Sequence, residues 1–162
     1  LPIVDKREYK ISPIQINRNE KLNEHLIIFE NEMHADFAEL GKYKKIHFVL
    51  IGNENRSVKL SKKVIDFKKD IINSQLKDIK YEAEFFDEND FTNFTETFKT
   101  FDVVYPSIGE NFSFIKRLIN KNNLKINFVS RKEDEFCWKF SNKGYFNFKS
   151  NIPIILSTFK LN

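Results

Sequence analysis

Along most of the chain, short apolar runs alternate with longer stretches whose apolar residues recur every three or four positions. The first rhythm belongs to strands and the second to amphipathic helices. "KIHFVLI", 45–51, is apolar on both alternating faces except at His47, as in a central strand covered on both sides. "IKYEAEFF", 79–86, differs. Ile79, Tyr81, Ala83 and Phe85 point one way and Lys80, Glu82 and Glu84 the other, so this strand is expected at the sheet edge. "DVVYP", 102–106, and "LKINFV", 124–129, complete a set of four. Between them, Leu60, Val64, Phe67 and Ile71 form one helical stripe, with Ser57 as its cap. Phe91, Phe94, Phe98 and Phe101 form a second stripe, capped by Asp90, and a third helix begins near Asn111.

The two ends break this alternation. "EYKISPIQI", 8–16, reads as a short strand that Pro13 confines to an edge or interrupts. Asn17 and Glu20 then make a capping box for a long helix over 19–40, striped by Leu22, Leu26, Phe29, Met33, Phe37 and Leu40 and closed by Gly41. That stripe packs on its own domain or offers a homodimer seam. At the other end, "EFCWKF", a turn "SNKG" and "YFNFK" suggest a β-hairpin, and "IPIIL", 152–156, a last strand.

The order predicts one α/β domain over 1–162: an N-terminal strand and helix (1–44), an alternating core (45–130) and a C-terminal hairpin with its last strand (131–162). The sheet is expected to be open and mostly parallel, Rossmann-like or flavodoxin-like, with the four core strands in the order 2-1-3-4. The first and third of these would then be neighbours whose connections leave to opposite faces. Open α/β sheets bind ligands at such a switch point, outside the carboxyl ends of the strands.

Composition narrows the chemistry only a little. With 162 residues, 41 % hydrophobic, the chain can bury one sizeable core. Its 18 Phe fall mostly at core spacing, which favours packing over base stacking. The formal charge of +4 is scattered, so nucleic acid is a permitted partner but not a favoured one. The single Cys137 excludes an internal disulfide and any cysteine zinc cluster, and fits a reducing, cytoplasmic setting. No apolar run has the length of a membrane span. The first residue is Leu, which leaves room for an upstream part.

The candidate site is therefore a pair of loops. "GNENRS" after the first core strand supplies Gly52, Asn53, Asn55, Arg56 and Ser57; "PSIGEN" after the third supplies Ser107, Gly109, Glu110 and Asn111. Arg131 and Lys132 follow the fourth. Glycine lets a ligand approach the backbone, a helix amino end presents free N–H groups, and the basic residues add charge-assisted hydrogen bonds. The expected ligand is a small anion, such as a nucleotide, held by a sensor or regulatory domain; no cofactor is implied. Neither loop matches a dinucleotide or phosphate-loop pattern. The alternatives are an enzyme in the same crevice, with Ser107, Glu110 and Arg131 as its chemical groups, a metal-dependent nuclease built on Glu82, Glu84 and Lys80, or a basic RNA- or DNA-associated component. Trp138, Phe136 and Phe140 are expected to cover the sheet. His25 and His34, nine apart on the expected helix, lie too far apart to share a metal, and His47 reads as a satisfied buried histidine.

Overall fold

A computed structural model describes residues 23–35, 38–141 and 144–160. These divide into two compact units, one of residues up to 131 and one of residues from 132 onward. The first holds five parallel strands: β1 (His25–Phe29), β2 (Lys45–Val49), β3 (Ala83–Phe86), β4 (Thr100–Val104) and β5 (Lys125–Val129). Helices α1 (Lys62–Asp78), α2 (Glu88–Thr97) and α3 (Glu110–Asn122) connect the later strands. The strand order is β3-β2-β1-β4-β5.

The α/β class and parallel sheet agree with expectation, and β3 does lie at an edge. The order 2-1-3-4 does not hold, because a fifth strand, β1, separates the first and third core strands. The expected long helix accounts for the error. Its stripe was a coincidence of spacing; "HLIIF" contains four consecutive apolar residues, Leu26 to Phe29, all buried. A helix can bury only one stripe, whereas a central parallel strand buries both faces. The homodimer seam proposed on that helix goes with it. Gly41 is no helix cap either; it lies in a short 3₁₀ turn, Leu40–Lys42, where a Cβ would meet the Tyr81 ring at 3.1 Å. The expected strand over 8–16 and the Asn17–Glu20 capping box lie outside the described residues.

Each face of the sheet is covered by its own cluster. Leu26, Ile28, Ile46, Phe48 and Leu50 pack with Ile72 of α1 and with Ala35, Ala38 and Tyr43 from the β1–β2 connection. Ile27, Phe29, Val49, Phe101 and Val103 pack on the other face with Phe91 and Phe94 of α2 and Phe114, Ile115 and Leu118 of α3. Phe91 is fully buried and its ring lies against those of Phe29, Phe94, Phe101 and Phe114. Two helix starts move. Ser61 rather than Ser57 caps α1, and Asp87 caps α2 through a reciprocal capping box with Asp90. The α1 stripe is also rotated: Ile72 is buried, while Phe67 is exposed.

The second unit contains α4 (Lys132–Ser141) and α5 (Tyr145–Phe159), not a hairpin and a strand. Glu133, Asp134 and Glu135 fill the first turn of α4, where acidic side chains meet the positive end of the helix dipole. That signal outweighs the period-two pattern of "EFCWKF". Gly144 has φ 85°, the turn conformation expected of it, but it joins two helices. Phe136 packs on Phe140 and Phe159, so the aromatic residues of this stretch serve a helix pair. Pro153 stands inside α5, where the Ile154 carbonyl accepts from the Ser157 and Thr158 hydroxyls.

Candidate functional site

The strand order moves the switch point to β1 and β4. The chain leaves β1 toward the α1 face and leaves β4 through α3 on the opposite face. Open α/β sheets bind ligands at such a divergence, outside the carboxyl ends of the strands. Three loops border it: Glu30–Glu32 after β1, residues 50–61 after β2, and residues 105–109 after β4.

Glu30, the first residue beyond β1, is the centre of their connection. Its carboxylate is buried and receives Arg56 Nη2 at 3.1 Å and Lys68 Nζ at 3.4 Å on Oε1, and Asn111 Nδ2 at 2.9 Å on Oε2. Arg56 also donates from Nε and Nη2 to the Ile51 carbonyl, both at 3.3 Å. A buried charge is tolerable only when paired and hydrogen-bonded, and here each partner satisfies the other. The Asn111 amide donates as well to Asn31 Oδ1 at 2.9 Å, and Asn31 donates to the Pro106 carbonyl at 2.8 Å. The Oδ1 of Asn111 is buried with no donor.

The expected site residues separate into groups. Ser57 reaches the second loop through backbone alone: the Ser57 and Val58 N–H groups donate to Glu110 Oε1 at 3.0 and 3.3 Å. The Gly52 N–H and the Asn55 amide both donate to Glu88 of α2. Asn53 clips its own loop, exchanging hydrogen bonds with the Leu60 backbone at 2.8 Å. Arg56 and Asn111 meet on Glu30. Ser107, in the left-handed region at φ 59°, donates to Glu32 Oε1 at 3.3 Å. Gly109 precedes α3 at φ 153°, and no side chain caps that helix. Arg131 donates to the His34 carbonyl at 3.1 Å, and Lys132 opens α4 in the other unit. The two glycine loops thus adjoin, but Arg56 is a buried partner of a carboxylate.

Glu30, Asn31, Glu32 and Lys68 escape the sequence pattern because the β1 segment also satisfies a helical period. The visible signal was an apolar run ending in "ENE", which parallels the run ending in "GNEN" after β2.

Two further polar clusters lie within the sheet. Asp102 is fully buried and accepts from Tyr43 at 2.9 Å, Asn23 at 2.6 Å and Asn127 at 3.1 Å. Burial and the Asp102 charge push the Tyr43 phenol well above its usual range. On the opposite face, His25 Nδ1 and His47 Nε2 stand 3.0 Å apart. Glu84 Oε1 lies 2.9 Å from His47 Nδ1, within ion-pair distance but out of line for a hydrogen bond. Lys45 lies 2.9 Å from the other Glu84 oxygen and 3.7 Å from Glu82. The carboxylates suggested for a nuclease centre are therefore joined to Lys45 and His47. Burial lowers His25 and brings His47 down to about 4.

Among the described residues, no three His, Cys, Asp or Glu side chains gather as a metal cluster, and no helix is long and apolar enough to cross a membrane. No protein-family model, curated protein or solved structure matches the chain.

Proposed function

We propose that the sheet unit binds a small anionic ligand of the nucleotide type at the carboxyl ends of β1 and β4, as a sensor or regulatory domain. One observation carries the reading: the loops after β1, β2 and β4 converge on the buried Glu30–Arg56–Asn111 cluster at the switch point. Beside it, α3 begins without a side-chain cap, and the first N–H groups of a helix have no partners within the helix. Such an end attracts phosphate. A Cβ on Gly109 would meet nothing within 4 Å, so a ligand has room to approach the backbone. Glu30 does not repel an anion, since Arg56 and Lys68 both lie on it. Ser107, Glu32 and the undonated Oδ1 of Asn111 supply partners for ligand hydroxyls. Arg56 forms the floor of this site rather than the contact with the ligand.

Thermal shift against a panel of nucleotides and inorganic phosphate tests the reading, because a ligand at 100 times its Kd stabilises the fold by about 2.7 kcal/mol. Ile108, 85 % exposed between Ser107 and Gly109, is the place for an opposing charge. Ile108→Glu should keep the ligand-free Tm and lose the shift. The reading fails if no compound shifts the parent, or if Ile108→Glu responds as the parent does.

A further inference from the structure

We propose that α1 pairs with its counterpart in a second copy of this chain, antiparallel and about a two-fold axis. The pairing does not depend on a ligand at the switch point. α1 carries two apolar stripes. Ile65, Ile72 and Leu76 pack on the sheet in the cluster around Phe48. Val64, Phe67 and Ile71 form the second stripe, about a third of a turn round the helix. Their steps of three and four are the a and d period of a helix seam. Val64 is 40 % and Phe67 64 % exposed, and Ile71 is half-buried. Leu60, half-buried just ahead of the Ser61 cap, extends the line. Scattered exposed apolar residues are ordinary, whereas a row of them at seam spacing marks an interaction face.

Charge selects the occupant and its direction. Lys63 and Asp70 stand immediately before Val64 and Ile71, at the flanking g positions of the seam, and both are exposed. Neither side chain has an ion pair among the described residues. In an antiparallel pair, g positions meet g positions across the seam. Where Val64 faces the partner's Phe67 and Leu60 faces the partner's Ile71, Lys63 lies beside the partner's Asp70, and Asp70 beside the partner's Lys63. The other arrangements are repulsive. A slip of one heptad, with Phe67 facing the partner's Ile71, sets Lys63 against the partner's Lys77 and Asp70 against its own copy. A slip the other way sets Lys63 against its own copy. A parallel pair sets Lys63 against the partner's Lys68. A uniformly charged occupant, such as an anionic lipid surface or an acidic peptide, is attracted at Lys63 and repelled at Asp70. One antiparallel register alone matches charge at both ends, and it is self-complementary, as a two-fold interface requires.

Sedimentation equilibrium of the full chain, from about 1 μM to about 1 mM, reads this as a monomer–dimer equilibrium. Phe67→Lys alters only an exposed side chain and should leave a folded monomer. Lys63→Asp and Asp70→Lys should each weaken the dimer about tenfold, because two opposite-charge contacts become two like-charge ones. Combining K63D with D70K should restore the parent's affinity, and the two single variants, mixed, should pair with each other. The proposal is overturned if the parent stays monomeric throughout, as it would with another part of the chain or a different partner on this stripe. It is overturned equally if Phe67→Lys dimerises like the parent, or if the double exchange is as weak as the single ones.

Discussion

Acidification should destabilise the sheet unit through His47, and the size of the effect can be worked from the site. His47 is 2 % exposed, stacked on Phe86 and covered by Phe94, so burial disfavours its charged form more than Glu84 favours it. Its pKa falls from 6.5 in the unfolded chain to about 4 in the folded protein. The folded state therefore binds fewer protons than the unfolded state between these values, and stability rises with pH across that window. The contribution is complete above pH 6.5 and is lost as pH falls toward about 4. At about 1.4 kcal/mol per unit, the shift amounts to roughly 3 kcal/mol. His25 is lowered in the same direction by its own partial burial and adds to the slope. Urea unfolding at steps from about pH 7.5 to about pH 4.5 measures this, provided the m-value stays constant. Ordinary carboxylates titrate at the lower end, so the comparison is with His47→Phe, which keeps the stacking on Phe86 and removes the titrating group. The parent should lose up to about 1.4 kcal/mol more per pH unit than the variant within the window. Equal slopes in the two proteins would refute the reasoning.

The same assay checks two further substitutions. Arg56→Ala leaves Glu30 buried with Lys68 as its remaining cation, and should cost about 3 kcal/mol, the lower end for a broken buried pair. Replacing Glu30 by Gln in the same chain should recover part of that loss, whereas a surface arginine would show neither effect. Phe91→Ala empties the junction of α2, α3 and the sheet, and should lower stability by about 3–5 kcal/mol; a cost below about 1 kcal/mol would mean that Phe91 is not the centre of that cluster.

How much of this was legible in the sequence depends on where the evidence for each element resides. The stretch from β2 to β5 could be read because each strand carries its burial in its own residues: β2 is apolar on both faces, while β3 alternates. β1 is obscured because Leu26, Phe29, Met33 and Leu40 also satisfy a helical period, and five residues of strand compete poorly with a stripe running from Leu22 to Leu40. The run Leu26–Phe29, with its two adjacent isoleucines, was the better evidence, since β-branched residues suit a pleated surface and consecutive burial suits only a central strand. That single misreading carried into the site. Glu30 follows β1 directly, so with a helix expected there nothing pairs it with Arg56, which is left free for a ligand. The two loops still adjoin, through Ser57, Val58 and Glu110, although the neighbouring strands from which their proximity was expected are separated by β1. The pairing of Arg56 with a residue 26 positions earlier depends on strand order, and no local pattern encodes it. The histidine pair was hidden for the same reason: His25 meets His47 only once both lie on adjacent strands, diagonal by one register step. Sequence pattern thus located the loops, while the charges within them took their roles from the one strand it missed.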